Sequence, residues 1–476
     1  MEHSPIPYLD PDGSRGLVVR ALAAESVAGL ASVLGEYFSG AAPVLVARDL
    51  RTTSAGIAAA IAGALPMSGR EVVELGPMPI PALRFAVREM GARAGLMVTA
   101  GTAAHEPPRS ARIRLIGPGG DDLPLEEVRE LERRLHRSPP IAAPRHGGGS
   151  LRNDGKGVAR YLGSIVAQVD AGPMRSARPR VALDCDHGTS ALATPQLLSQ
   201  LGCQLTTLNA LSDPAPIGPA PEGERGRLAD LARAVVATGA LLGIAHDGDS
   251  DRVAFVDETG RPVPGAAALA LLAGFALDRH PHARVVASLT SSSALETVVA
   301  QRGGDLRFAA PGDRAMISEV RRLDAKFGGN EAGEYCWPEH LCAPDGPMSA
   351  VRMVELLLAS GAPLSVLVDR LPTEATVSRE VPLPLESRTS VMQRVQRTLA
   401  GEAKRVVDAD AVKAFYDDGW VLVGPAGSEP SCRITAGSRS EERARELLER
   451  GAKLVSDLVS AFTYDGGGGD LWCDPA

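Results

Sequence analysis

The segment Asp247-Gly248-Asp249-Ser250-Asp251-Arg252 sets three carboxylates at alternate positions of a glycine-containing loop. It follows an apolar run at 240–245 and precedes another at 253–256, so the pattern predicts a loop between two buried strands. Carboxylates spaced in this way can face one point, and such hard oxygen ligands suit Mg2+ or Ca2+. A solvated acidic turn is the plain alternative. Two buried strands would crowd the carboxylates together, however, and their repulsion calls for a cation. No bidentate Glu follows at EF-hand spacing. Arg252 adds a planar fork that can hold a phosphate. The expected chemistry is a divalent cation, Mg2+ or Ca2+, beside a phosphoryl group.

The rest of the chain must position that loop. At 476 residues and roughly 150 per domain, about three domains are expected. Composition is ordinary for a globular protein, 44% hydrophobic and 23% charged. The 51 Gly and 36 Pro follow no period, which excludes collagen-like and repeat architectures. A net charge of −8 gives no electrostatic reason to expect nucleic acid. No run approaches 18 apolar residues, so no membrane partner is expected. The start, MEHSPIPYLDPDG, lacks the basic end and apolar core of a signal peptide. Six cysteines without a CxxC pair point to a reduced, cytoplasmic compartment.

Short β-branched runs alternate with Ala/Leu-rich stretches: 42–47 then 54–65, 72–75 then 80–90, then 94–99. This is the strand–helix rhythm of a mixed or parallel sheet covered by helices. Residues 126–137, charged on most faces, read as a solvated helix, and 138–157, rich in Pro, Gly and Arg, read as a linker. The rhythm resumes at 180–208 and again after Thr259-Gly260. From about 373 it changes to an α+β pattern, with strands at 377–381, 420–423 and 431–436 and a long helix from 440 to about 462. The tail, 464–476, carries four consecutive Gly and reads as disordered. The fold class expected is α/β: three related α/β domains with mixed sheets and a smaller C-terminal α+β domain. The boundaries expected are 1–150, 151–261, 262–372 and 373–463.

These motifs together resemble the α-D-phosphohexomutases, the superfamily of phosphoglucomutase, phosphomannomutase and phosphoglucosamine mutase. The resemblance covers nearly the whole chain. It implies four domains around a central cleft. It also implies transfer of phosphate between two oxygens of a sugar through a phosphoserine and a bisphosphorylated intermediate. Asp247, Asp249 and Asp251 match the family's Mg2+ loop in full. Asp12-Gly13-Ser14-Arg15-Gly16 is similar to its N-terminal DGxRG, which implies a place for Arg15 near the nucleophile. Arg48-Asp49-Leu50-Arg51 resembles its GRDxR stretch. Gly328-Gly329-Asn330-Glu331-Ala332-Gly333 resembles its sugar-recognition loop, and Gly424 to Pro430 its fourth-domain phosphate loop, RPSGTEP.

The departures bear on chemistry. The family's nucleophile loop reads TASHNP; here Thr102-Ala103-Ala104-His105-Glu106-Pro107 fits it best, with three residues inserted. The pattern then agrees through Ile113-Arg114-Leu115. Ala104 thus stands at the nucleophile's position; another placement of the insertion puts Gly101 there. A phosphoenzyme needs an accepting lone pair, which neither side chain has. Thr99 or Thr102 could substitute only if the loop shifted. His105 could act as phosphate acceptor or general acid/base, or serve as a structural contact. Gly424 stands where the family usually has Arg, Ala426 where it has Ser and Ser431 where it has Lys, while Gly427, Ser428 and Arg433 remain for phosphate. Arg314 in the Pro311-Gly312-Asp313-Arg314 loop is either a compensating phosphate contact or a solvated arginine. For substrate contact the candidates are Glu331 first, then Asn330 and Gly333; Glu334 reads as a loop surface charge. His246 reads as a packed strand-end residue, and 186–190 as a turn that caps a helix.

The expectation is a Mg2+-dependent phosphosugar enzyme with an altered, serine-independent site, catalysing intramolecular phosphoryl transfer on a hexose phosphate or analogue. The alternative is an inactive homologue that binds metal and a sugar phosphate and acts through a protein partner.

Overall fold

The computed structural model describes residues 8–9, 17–19, 24–100, 111–137, 148–210, 223–426 and 430–465. Four sheets follow one another along the chain. In the first, Val44–Arg48 lies between Val72–Pro77 and Ala94–Ala100, all parallel. The helices Thr52–Ala64 and Ile80–Glu89 make the crossovers that parallel pairing requires. These strands are apolar on both faces because both faces are covered: Leu45 and Ala47 enter one core, Val44 and Val46 another. Ala111–Ile116 returns antiparallel to Ala94–Ala100.

The second sheet has the order Val253–Val256, Leu242–His246, Arg180–Asp184, Gln204–Leu208, with only the first pair antiparallel. The third places Arg284–Ser288 between Asp305–Ala309 and Phe327–Gly329, both parallel to it. It ends in the antiparallel hairpin Tyr335–Trp337 and Leu341–Pro344. The fourth sheet is wholly antiparallel, five strands with Ser431–Ser438 between Ala375–Pro382 and Gly419–Pro425. Ligand loops are expected beyond the carboxyl ends of parallel strands. Arg48, His246 and Gly329 are such ends, and the loops that follow them are those singled out by sequence.

One apolar core runs through the first three units, from Leu45 and Leu83 through Leu183 and Phe255 to Trp337 and Met353. The fourth unit has its own core, centred on Val391, Val423, Ile434 and Val455. It meets the third through a small patch of Leu289, Ala411, Trp420 and Leu422.

Three readings change. The helix Leu125–Arg137 is not solvated all round: Val128 and Leu131 are buried on its inner face, while Glu130 pairs with Arg133 and Arg134 outside. The segment read as linker contains the strand Leu151–Asn153, which pairs with Val72–Pro77, so the first sheet extends past residue 150. The helix Glu441–Asp465 runs into the expected tail, whose remaining residues lie outside the described ones.

Candidate active site

The loop 247–252 is braced from three sides. Thr189 donates through its backbone N–H (3.0 Å) and its hydroxyl (3.1 Å) to the Gly248 carbonyl, and its Oγ1 lies 3.0 Å from the Ser250 hydroxyl. Gly188 allows this approach, since a Cβ there would sit 2.7 Å from the Gly248 Cα. The turn at 186–190 therefore braces loop 247–252. From the first unit, Ile80 N–H at the start of a helix donates to the Asp249 carbonyl at 3.2 Å, and from the third, Gly346 N–H donates to the Ser250 carbonyl at 3.2 Å. His246 is buried, with Nδ1 on the Arg252 carbonyl and Nε2 on the Thr194 hydroxyl. Burial pushes it down to about 4, so it is a neutral strut.

Two of the three carboxylates do not point at a common centre. Asp247 receives the Arg252 Nε at 2.8 Å, and Asp251 receives the Arg114 Nη1 at 2.9 Å. Among the described residues no group of three His, Cys, Asp or Glu side chains is gathered as a metal site. The expectation that the aspartates face one point is corrected in this respect, and the cause is competition from arginines. The donor chemistry still fits a hard dication. Burial and the carboxylates of Asp251 and Asp247 push Asp249 up to about 7, the mark of negative charge short of a counter-ion.

Arg114 was the residue that sequence reasoning passed over. It sits in mid-strand, where Ile113 and Leu115 are buried, and its guanidinium joins three units. It bonds Asp122 of its own unit (2.8 and 2.9 Å), Asp251 of the second and Asp313 of the third (both 2.9 Å). Arg84, fully buried, adds a second cation to Asp122 at 3.0 Å. Against the opposing effect of burial, the two arginines hold Asp122 far below the usual carboxylate range. A charged residue inside an apolar strand is the signal that could have found this cluster, because such residues are buried only when paired.

The sugar-loop candidate is stitched to loop 247–252. Val253 N–H donates to the Gly333 carbonyl at 3.1 Å, and Arg252 and Glu334 form an antiparallel bridge. Gly333 has φ +90°, and a Cβ there would meet the Val253 carbonyl oxygen at 2.4 Å, so only glycine fits. Asn330 spends its side chain within the loop, accepting from Ala332 and Glu334 N–H and donating to Glu334 Oε2 at 2.6 Å. Glu334 is not a surface charge. Burial, with Asp313 and Asp251 nearby, pushes it up to about 7. Glu331, the first candidate for substrate contact, is turned toward the third unit's helix Ser293–Gln301 and accepts from Ser292 N–H at 2.6 Å.

Arg314 is half-buried: its Nη1 donates to the Leu123 carbonyl at 3.1 Å and its Nε is buried. Arg433 is exposed and pairs with Glu380. Gly424 lies against Ala411, where a Cβ would meet the alanine Cβ at 2.8 Å. Thr99 is buried and held in register with Arg112. Arg15, Thr102, Ala104, His105, Gly427 and Ser428 lie outside the described residues.

Four family models match in chain order, all described as phosphoglucomutase/phosphomannomutase. They are the alpha/beta/alpha domain I at 9–140, domain II at 159–260, domain III at 264–375 and the C-terminal domain at 385–454. A protein of Methanopyrus kandleri named "Probable phosphoglucosamine mutase" is 35% identical over 95% of this chain and 98% of its own length. A "Phosphoglucomutase/phosphomannomutase" of Thermococcus kodakarensis is 30% identical over 87% and 90%. Among solved structures, a phosphoglucomutase/phosphomannomutase family protein from Burkholderia thailandensis superposes with a TM-score of 0.79 at 21% identity, over 95% of this chain and 98% of that one, which shows the shared fold. On the matched domains and the identity across nearly its full length, the chain belongs to the α-D-phosphohexomutase superfamily.

Proposed function

We propose that the protein is a phosphosugar enzyme of the mutase type that moves a phosphoryl group on a hexose or hexosamine phosphate, with Mg2+ and without a nucleophilic serine. The observation that supports this most is the direct stitching of loop 247–252, read as the cation site, to loop 330–334, read as the sugar site. Asp247, Asp249 and Asp251 would hold Mg2+, which supplies a Lewis acid for phosphoryl oxygens. Arg252 uses Nε on Asp247; among the described residues its terminal nitrogens carry no bond and are donors for a phosphate. Glu334, bonded by Asn330 through Oε2, can hold or release a proton at Oε1 near neutral pH, as an acid/base facing a sugar hydroxyl requires. Thr99 is buried within its strand, which argues against it as the acceptor. A sugar bisphosphate would therefore bring the second phosphate. The hexosamine option comes from the relatives named phosphoglucosamine mutase.

A second reading, a non-catalytic binder of metal and phosphosugar, is favoured by one observation: arginines already occupy Asp247 and Asp251. Phosphorus NMR separates the two. The protein is mixed with Mg2+ and glucose, mannose or glucosamine 1- and 6-phosphates, with and without a hexose 1,6-bisphosphate. Interconversion only when the bisphosphate is present is expected. Release of inorganic phosphate would instead make it a phosphatase, and ligand broadening without turnover would make it a binder.

A further inference from the structure

The hairpin that closes the third sheet carries two cysteines on neighbouring strands, Cys336 in Tyr335–Trp337 and Cys342 in Leu341–Pro344. Cys336 is opposite Pro344 and Trp337 opposite Leu341, so the ladder is irregular between them and Cys342 falls within the irregularity. The Cys336 thiol lies 3.6 Å from the Leu341 carbonyl, one residue from Cys342, and the two cysteines belong to one small packed cluster. Neighbouring strands lie about 4.8 Å apart, within the Cα separation that a disulfide spans. Cys336 is fully buried; Cys342 is partly exposed.

Arg321, near the end of the helix Asp313–Arg322, completes the group. Its guanidinium is an electrostatic neighbour of Cys342, pairs with Asp121 at 3.0 Å and donates to the Gly119 carbonyl at 3.0 Å. We propose that Cys336 and Cys342 are a reversible redox pair, in which Cys342 attacks a low-molecular-weight disulfide and Cys336 resolves the adduct. The neighbouring Cys336 and Arg321 hold the Cys342 thiol down to about 7, while burial pushes Cys336 well up. The accessible sulfur is thus the nucleophile and the buried one is protected until its neighbour has reacted.

The step balances. The Cys342 thiolate forms a bond to one sulfur of RS–SR and expels RS−, which takes the proton that Cys342 gave up. Cys336 then loses its proton, and its sulfur displaces the second RS− from Cys342. The protein gains one disulfide, and the reagent is reduced to two RSH. The hairpin joins the sugar loop, which ends at Glu334, to Gly346, which bonds the metal loop at Ser250. Oxidation thus ties the two strands that link these loops and takes from Arg321 its sulfur partner.

The test uses the full chain with Cys473→Ser, which leaves five thiols. It is incubated with oxidised glutathione at pH 7 and its thiols are titrated after denaturation. Five thiols should fall to three and return with dithiothreitol. With Cys336→Ser added, Cys342 should stop at a glutathione adduct visible by mass spectrometry. With Cys342→Ser added, all remaining thiols should survive. Arg321→Met should slow the reaction about three- to tenfold while the disulfide still forms. The proposal is overturned if five thiols persist, or if the Cys342→Ser chain loses thiols as the parent does. Neither readout depends on sugar turnover.

Discussion

Two junctions hold this molecule together, and they are built differently. Where the first three units meet, Arg84 and Arg114 share Asp122, and Arg114 also reaches Asp251 and Asp313. Arg114 and Asp122 each have more than one charged partner, and the units share an apolar core. Where the third and fourth units meet, a buried ammonium stands beside a more exposed ion pair, Arg405 with Glu296 at 2.6 Å. Lys413 donates to the Ser291 carbonyl and lies 4.0 Å from the Trp420 ring centre, with Phe308 and Phe415 beside it. Glu374 bonds Ser293 and the Trp420 indole. The first junction fixes a site; the second attaches a unit that keeps its own core. Redundant pairing keeps carboxylates in place without a metal, whereas the fourth unit, with its own core, is held by one buried lysine and a few more exposed contacts and is expected to separate without unfolding.

Breaking the first junction should therefore have the largest effect. Asp122→Asn removes the anion between two buried arginines. Loss of one partner of a buried pair costs about 3–5 kcal/mol. Melting followed by calorimetry should show the first three units falling together while the fourth holds. A loss confined to the first unit would show that Arg114 does not couple them. The matching cut at the second junction, Lys413→Met, loses a charged hydrogen bond of about 1.5–3 kcal/mol. Hydrogen exchange should rise at the contact around Leu289 and Trp420, with protection kept inside the fourth sheet. Unfolding of that sheet would refute separable attachment.

The contrast also explains what was legible in the sequence. The alternation of strands and helices is local, so the sheets of the first three units and the long last helix could be read. The Asp247–Arg252 loop was legible because its residue types are unusual between apolar strands. What could not be read is long-range. Arg114 looks like any strand arginine until Asp251 and Asp313, 137 and 199 residues away, are brought to it. The same folding turns Glu331 to Ser292 and Arg314 to Leu123, and it diverts Asp247 and Asp251 from a common point. The strands Arg405–Asp408 and Val412–Phe415 were missed because Lys413 and Asp408 mask a short apolar pattern.

A smaller effect is expected in the fourth unit's phosphate loop, where Gly424 stands in place of arginine. Restoring the charge with Gly424→Arg alone should not tighten phosphosugar binding, because the new Cβ meets Ala411 at 2.8 Å. Overpacking of this kind costs about 1–3 kcal/mol. Gly424→Arg with Ala411→Gly removes the clash and should bind glucose 6-phosphate more tightly than the parent by calorimetric titration. Equal affinity would place this loop away from the ligand and leave the fourth unit with a structural role only.

The smallest effect sharpens the first junction, at its edge with the sugar loop. Glu334 carries a folded-state value near 7, raised by burial and by Asp313 and Asp251. Its unfolded value is the ordinary one of about 4.3. Between these limits the folded state binds a proton that the unfolded chain has released, so stability from this group is fully present below the lower value and is lost as pH rises through about 7. Glu334→Gln fixes the uncharged form, and its carbonyl oxygen can still accept from Asn330. In chelator, the variant and parent should therefore melt together at pH 4. At pH 8 the variant should be the more stable by a few degrees. A difference that is the same at both pH values would mean that Glu334 is ionised throughout, and that Arg252, not burial, governs its charge.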